Sequence, residues 1–577
     1  MINSEEISRK IWSEYQRGIA YFKTKGLDEE WKQCEDFYEG NQWPKATQRT
    51  KSMPRPVINV CAMIADNKKS GILSGNLKII YQPAEMFGEM LLKAEQGSDL
   101  FTRFAEFVSK ELKQSDLDDE AQSNATKLGS YIYHYYWDTT ISGGMQTPYV
   151  GGMRGEMIHP KNCIVHNPRE KDIQKQKYVI IASCEPLDSV KKLAKKNGIK
   201  TWDLIGADTD SDNSEELEIS VCTVLTKYYR ENGRVVWVKC TKESLITNPT
   251  YWEPDAGKVK FDEQGDEEEI AEPDKASESG IVDGYFRKQL YPIVFRSHKQ
   301  RKDCIYGIGE IKQAIPNNKA INFSIGMMLL SVQQTAWPKI VQKIGALANQ
   351  QITNEPGEIL TDNTKGQNWG VKYLDTPGFD NQALLLTDKI LDLTRTTTGS
   401  TEVVTGEVLG ANMAASAIIA LQNQAKKPIE MYQKSFYRAY EEIGKIYEQF
   451  FKYYYNDGRM FSYSDEDNNK FVAQMYGANY QDIDYSLQIE IGQAGTYSDS
   501  LAVSLLDNLR ATNAIDDDDY IELYPDNIMT FKPKLKRIRQ KKLEELKQQQ
   551  LLAQAVQQLS QQPLPPQAPP QDVSRLI

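Results

Sequence analysis

The chain is 577 residues long, with 40% hydrophobic and 26% charged side chains, the ordinary balance of a globular protein with room for several domains. A formal net charge of -11 excludes general electrostatic attachment to nucleic acid or to an anionic membrane, so any DNA contact must be local or steric. Seven cysteines are scattered without a C-x-x-C pair, which points to reduced thiols made in a cytosol rather than to a disulfide framework. The opening MINSEEISRK lacks the basic-then-apolar order of a signal peptide. No apolar stretch reaches the roughly 20 residues of a membrane span, so a soluble product with no membrane partner is expected.

Residues 5–40 read as helices, with Ile11, Tyr15 and Ala20 or Tyr21 leading to an aromatic knot of Trp31, Phe37, Tyr38 and Trp43. Arg55-Pro-Val-Ile-Asn-Val60 follows, then a helix over Ile64–Leu73 that closes near Gly75. A long helical stretch is expected from about Met90 to Trp137, carrying Phe101, Phe104, Phe107 and Val108 and ending in Tyr131, Tyr133, Tyr135 and Tyr136. From Thr147 to about Tyr291 the pattern favours strands, with a short helix over Leu187–Asn197 and an Asn232-Gly233 hairpin turn. The fold class is therefore α+β. Asp262–Glu278 holds nine acidic residues and one lysine and reads as a solvated loop.

The centre of the chain is the most informative part. Pro316–Ala336 predicts a helix of about 32 Å that opens on a proline and stops before Pro338. Ile321, Ile325, Met328 and Val332 mark one face, while Phe323, Met327 and Leu330 mark the other, so both flanks should be buried, by this fold or by neighbouring subunits. Asn381–Thr397 predicts an antiparallel partner helix with Leu386, Ile390 and Leu393 on one stripe. Between them and the next helix, Gly399, Gly406 and Gly410 space a loop. From Thr396 through Ala425 the only charges are Glu402 and Glu407, so this loop cannot grip phosphate by charge. From Asn412, a candidate N-cap, a helix of about 60 Å should run to about Phe450, kinked where Pro428 removes a hydrogen bond. Phe461–Tyr463 and Tyr485–Ile491 read as strands returning to the earlier sheet, and Asp499–Leu523 as helical and turn-rich.

Lys532–Lys547 carries eight basic and two acidic residues, and the final stretch from Gln548 to Gln571 contains ten glutamines and five prolines. The cluster Lys534, Lys536, Arg537, Arg539, Lys541 and Lys542 is either a solvated helix face or a contact for DNA phosphate, and the pattern leaves both open. There is no Walker glycine loop, G-x-S-x-G, H-E-x-x-H or Rossmann pattern, and no cofactor is implied. His159, Cys163 and His166 lie within eight residues but alternate like a strand and lack a fourth ligand. His134 and His298 stand alone, and Asp516–Asp519 lacks the spacing of a calcium loop and reads as a solvated turn.

Trp31, Phe37-Tyr-Glu-Gly-Asn-Gln-Trp43 and Arg55-Pro-Val-Ile-Asn-Val60, followed by Tyr291-Pro-Ile-Val-Phe, Tyr306-Gly-Ile-Gly-Glu and Ile315-Pro-Asn-Asn-Lys-Ala-Ile-Asn322, resemble the portal proteins of tailed bacteriophages. The resemblance implies a non-enzymatic, dodecameric ring of identical chains at one capsid vertex of the virion, assembled in the host bacterial cytoplasm. It further implies a channel for double-stranded DNA, and contacts with the large terminase subunit, a head-tail adaptor, the major capsid protein and scaffold. On this chain it implies a mixed α/β wing over 1–308, a descending stem helix over 309–336, a small α/β clip over 337–380 and an ascending stem helix over 381–398. A tunnel loop over 399–411 would follow, with Glu402, Val403, Val404, Glu407 and Leu409 facing DNA between hinges at Gly399, Gly406 and Gly410. The kinked helix and returning wing strands would fill 412–498, a helical crown 499–560 and a Pro/Gln tail 561–577. The competing class is a DNA-binding or scaffolding protein that works without a ring, through the basic helix at 532–547.

Overall fold

The computed structural model describes residues 4–48, 50–51, 53–73, 75–84, 89–144, 147–207, 220–231, 233–253, 289–336, 340–342, 344, 371–373, 381–399, 415–464, 470–492, 496–512, 515–524, 534–535, 538–539, 541–542 and 547. Two compact units divide the chain: Met1–Phe461 with Ala473–Glu490, and Ser462–Val472 with Ile491–Ile577.

The first unit opens with helices α1 (Ser4–Lys25) and α2 (Leu27–Glu39), divided by Gly26 at φ 67°. Phe22, Trp31 and Tyr306 meet edge-on with ring centroids 5.1 to 5.7 Å apart; of the aromatic knot expected from the sequence, Trp31 and Phe37 are buried core anchors, whereas Tyr38 and Trp43 are half-buried. Helix α3 (Val60–Ile72) is capped by the Asn59 side chain, which accepts from Ala62 N. Strand β1 (Asn76–Pro83) then leads to helices α4 (Glu89–Glu111) and α5 (Gln114–Leu128).

The helical stretch expected to reach Trp137 ends at Leu128. Gly129, at φ 86°, turns the chain, and a Cβ there would meet the Ile308 backbone at 2.4 Å. The aromatic run becomes strand β2 (Ser130–Gly143), because alternate side chains then face two different layers. Tyr133 donates to Asp118 and Tyr135 to Gln114 on one face, while His134 on the other bonds Tyr228 at 2.8 Å and Glu156 at 2.7 Å. Strand β3 (Tyr149–Met157) pairs antiparallel with β2.

A five-stranded antiparallel sheet follows in chain order: β4 (Cys163–Val165), β5 (Tyr178–Pro186), β6 (Val221–Glu231), β7 (Arg234–Cys240) and β8 (Leu245–Tyr251). Helix α6 (Leu187–Lys196) packs against it through Val190 and Ala194. Gly233, at φ 81°, forms the hairpin expected between β6 and β7; Asn232 and the acidic stretch 262–278 lie outside the described residues. Strand β9 (Ile293–Ser297) returns to the free side of β2, and the hairpin of β10 (Lys299–Arg301) and β11 (Cys304–Ile308) delivers the chain to the long helices.

Helix α7 (Glu310–Ala336) begins six residues before the expected Pro316, which sits inside it. Ile311, Ala314 and Ile315 are buried, and that packing holds the extra turn although Pro316 donates no hydrogen bond. Strands β12 (Ile340–Gln342) and β13 (Val371–Tyr373) pair antiparallel ahead of helix α8 (Asn381–Thr398). Helix α9 (Ala415–Tyr453) contains Pro428; its expected cap, Asn412, lies outside the described residues.

The two late strands do not rejoin the large sheet. Strand β14 (Met460–Ser464) pairs with β15 (Lys470–Gln474), and β16 (Tyr485–Gly492) pairs with β1. Phe101 explains the second pairing, since its ring meets Tyr81, Phe451 and Tyr485 at 5.8, 5.6 and 5.0 Å and ties β1, α4, α9 and β16 into one aromatic core. In the second unit, α10 (Thr496–Ala511) packs on α11 (Asp517–Leu523), and Tyr520 donates to Asp507 at 2.6 Å. Asp516 and Asp519 form a capping box at the start of α11, so this acidic run is a helix cap.

Candidate functional site

Helices α7 and α8 pack together, and their character changes along their length. The first half of α7 is held to the domain by polar side chains. Asn318 Oδ1 accepts from Val60 N at 3.0 Å and Asn322 Oδ1 from Ile58 N at 2.9 Å, while both amide groups donate to Gln42 Oε1. The Arg55–Val60 strip is thereby threaded along α7, and Gly326 admits it closely, since a Cβ there would lie 3.1 Å from Pro54 O. Cys34, Phe37, Val60, Ile64, Ile311, Ile315 and Ile321 form the core beneath, with Ile325, Ile390 and Leu391 against it.

Beyond Asn322 the helix carries no charge, and apart from Ile325, which packs on the core, it shows apolar side chains to the outside: Phe323, Met327, Leu329 and Val332 are exposed. On α8, Leu384, Leu385, Leu386 and Leu393 are exposed as well. Of the expected stripe, Leu386 and Leu393 face outward, while Ile390, with Leu391 beside it, packs on the core that includes Ile311, Ile315 and Ile321 of α7. Beside that contact the seam is polar, made by buried Thr387, Thr394 and Thr398, with Ser324 Oγ 2.7 Å from Thr387 Oγ1 and Asn317 Nδ2 donating to Thr394 Oγ1 at 3.0 Å. Each of the three threonines also bonds a carbonyl one turn back on its own helix, which satisfies its hydroxyl inside the seam. Small polar side chains let the helices approach while Phe323, Met327, Leu329, Val332 and four leucines of α8 stay exposed, and exposed apolar side chains in such number mark an interaction site.

A buried ionic cluster fixes the root of α7. Glu310 is fully buried and meets Lys68 at 2.9 Å, Lys299 at 3.0 Å and His298 at 3.1 Å. Burial pushes its carboxyl upward, but the His298 hydrogen bond and the Lys68, His298 and Lys299 charges outweigh burial and hold the group well below the usual carboxylate range. Burial lowers both Lys68 and His298. His298 stacks on Tyr432 of α9, with ring centroids 4.2 Å apart and planes within 7°, and the Tyr432 hydroxyl bonds Glu310. The root of α7 is thus joined to α3, to the β9–β10 connection and to the long helix.

The site residues expected from the sequence fall unevenly. Gly399 ends α8 at φ 71°, where a side chain would be strained. Glu402, Val403, Val404, Gly406, Glu407, Leu409 and Gly410 lie outside the described residues, as do Lys536 and Arg537. Pro428 is on the exposed side of α9, next to buried Ile429, whose side chain packs on Gly71 of α3. Lys534, Lys541 and Lys542 are exposed and Arg539 is half-buried, all in the second unit. His159 accepts from Lys161 N and meets Glu35 at 3.1 Å, while burial pushes the Cys163 thiol up to about 12; both serve the packing of their own strands and turns. Glu310 was not foreseen, although it is the one acidic residue of α7 and follows Gly307-Ile-Gly309 directly, which was a usable signal.

A mixed α/β chain whose central helix pair is tied to its domain at one end and presents bare apolar side chains beyond is a structural subunit built to be joined by others. A family model described as Phage P22-like portal protein matches residues 169–574, and the chain belongs to that family. Portal proteins of phages form a structural, not an enzymatic, family, and membership in it points to the virion capsid as the chain's location. No curated protein matches the chain. Among the described residues no helix is long and apolar enough to cross a membrane.

Proposed function

We propose that identical copies of this chain, twelve in number, close into a ring at one capsid vertex and form the channel through which DNA is packaged and ejected. The observation that carries this reading is the exposed apolar surface of α7 and α8: Leu385, Leu386, Phe323 and Val332 are each more than half exposed in the single chain. A heterologous contact that buries one flank of each helix pair against the next copy, repeated until it closes, removes that surface from water. In this reading residues 1–308 are the wing, 309–336 and 381–398 the two stem helices, 337–380 the clip, 412–498 the kinked helix with its associated strands, and 499–560 the crown. The stretch 561–577 is a tail.

The loop 399–411 lines the channel. With Glu402 and Glu407 as its only charges, it touches DNA through the shape of Val403, Val404 and Leu409, and Gly399, Gly406 and Gly410 let it yield. Each added phosphate contact would raise affinity and friction, so an acidic collar suits a strand that must slide. In this reading ATP hydrolysis belongs to a separate terminase, which docks at the clip and is later replaced by the adaptor, and the lack of a phosphate-binding glycine loop in this chain agrees with that division. Assembly takes place in the host cytoplasm with scaffold and major capsid protein.

Negative-stain electron microscopy with mass determination tests the ring. The expected result is annular particles with a central hole, lost in Phe323→Asp/Leu385→Asp while the circular dichroism of the chain is unchanged. A persistent monomer with salt-sensitive DNA affinity, in the presence of scaffold and capsid protein, would replace this reading with a DNA-binding protein acting through 532–547. Replacing Glu402 and Glu407 by lysine should slow or stall packaging; unchanged packaging kinetics would remove the collar from the mechanism.

A further inference from the structure

Helix α6 treats its cations differently from the other helices of the first unit. Elsewhere a surface cation is answered by a carboxylate one turn earlier: Arg9 meets Glu5 at 3.3 Å, Arg103 meets Asp99 at 2.8 Å and Lys110 meets Glu106 at 2.8 Å. On α6 the residues one turn before Lys195 and Lys196 are Lys191 and Lys192, and Lys200 follows just beyond the helix. Like charges at this spacing repel one another. Lys192, Lys195, Lys196 and Lys200 are exposed and Lys191 is half-buried, and among the described residues none of the five lies within ion-pair distance of a carboxylate. Asp188, the only acidic residue of the helix, lies in its first turn, where the dipole favours it. The same dipole accounts for Lys195 and Lys196 in the last turn, but not for Lys191, Lys192 or Lys200.

The cations stand on a fixed support. Val190 and Ala194 are buried on the opposite side of α6, and Asn197 Nδ2 donates to Ile246 O at 3.0 Å and to Thr247 Oγ1 at 3.1 Å, tying the end of the helix to β8. The Lys195 ammonium lies 5.4 Å from the centre of the Trp202 ring. Lys191 to Lys196 span about 8 Å of helix axis. Duplex DNA carries one charge per about 1.7 Å of its own axis, so four or five phosphates fall within that length and match four ammoniums in density. Protein interfaces are depleted of lysine, whereas phosphate contacts on DNA are made by Lys and Arg, so this composition favours DNA over an acidic protein.

We propose that the lysine face of α6 is a local, sequence-independent contact for double-stranded DNA, separate from the loop 399–411. It needs neither a ring nor that loop, so its failure is distinct from any failure of the assembly reading. Fluorescence anisotropy of a labelled 30-base-pair duplex with the full chain, from about 25 to 300 mM NaCl, tests it. Replacing Lys191, Lys192, Lys195, Lys196 and Lys200 by glutamine should weaken binding at least tenfold at about 50 mM NaCl and lower the slope of log K against log salt by about 4, with circular dichroism unchanged. Arginine at the same five positions should preserve binding. A charge-matched variant with glutamine at Lys10, Lys25, Lys32, Lys78 and Lys93, all exposed, should lose less than twofold. Equal losses in the two glutamine variants would reduce the effect to net charge and overturn the site. Absence of binding by the wild type, or loss only when the cluster Lys534, Lys536, Arg537, Arg539, Lys541 and Lys542 is replaced, would overturn it too. Tighter binding of polyglutamate than of the duplex would give the face to an acidic protein instead of DNA.

Discussion

Two buried carboxylates hold the long helix α9, and they do it with opposite electrostatics. Glu310 lies among Lys68, Lys299 and His298 and is bonded by Tyr432 of α9. Asp118 of α5 meets α9 eight residues further along, at Tyr440, from which it accepts, and it accepts also from Tyr133 at 2.7 Å and from Gln114 at 2.9 Å, with no cation among these partners. Burial dominates at Asp118 and, despite those three bonds, pushes its carboxyl up to about 6. At Glu310 cations defeat the same burial. The comparison teaches that exposure alone does not set the behaviour of a buried acid; the charge of its partners does.

The largest effect should come from removing the better-paired acid. Glu310→Ala leaves the buried Lys68 and the half-buried Lys299 without their counter-ion and should cost about 3–5 kcal/mol in urea unfolding. A loss below about 1 kcal/mol would mean the cluster relaxes into water. Next is the pH dependence. The folded state holds the Asp118 proton more tightly than the unfolded chain does, so stability falls as pH rises from about 4 to about 6, by about 3 kcal/mol for a shift from 3.8 to about 6. Asp118→Asn should flatten that fall. Glu310 has the opposite sign: its contribution is complete above about pH 4.5 and is lost as pH drops through its depressed value. A wild-type profile that is flat from pH 4 to 6.5 and unaltered in Asp118→Asn would refute the contrast.

Tyrosine deletions sharpen it. Tyr440→Phe takes one of three donors from an acid without cations and should cost about 1.5–3 kcal/mol at pH 7. Tyr432→Phe leaves Glu310 its three other partners and should cost about 1 kcal/mol or less; the reverse order in denaturant midpoints would place the cations' influence elsewhere. The smallest effect belongs to the free part of α7. Phe323→Ser should change the stability of the isolated chain by no more than about 0.5 kcal/mol, because the side chain is 55% exposed, while reducing the yield of rings.

Much of the architecture could be read before the fold was known. The helix pair, the long helix through Pro428, the Asn232-Gly233 hairpin and the aromatic anchors Trp31 and Phe37 are local patterns, governed by periodicity and turn chemistry that each segment carries within itself. Errors gathered where distant segments decide. Tyr131–Trp137 look helical in isolation, yet Asp118 and Gln114 on one side and Tyr228 on the other reward alternation. Pro316 looks like a helix start, yet the burial of Ile311 and Ile315 extends the helix past it.

The candidate site divides in the same way. An apolar pair of helices, a loop whose only charges are two glutamates and a family resemblance were determined by the amino-acid sequence, because composition and spacing are properties of the chain. Which faces meet was settled only by tertiary structure. Thr387, Thr394 and Thr398 line the seam beside Ile390 and Leu391, while Leu384, Leu385, Leu386 and Leu393 turn outward, because three hydroxyls satisfied by their own helix allow a close approach that bulky side chains would prevent. The convergence of Lys68, His298, Glu310 and Tyr432 is likewise a product of the fold: those residues lie up to 364 positions apart, and no local pattern specifies a contact across that distance.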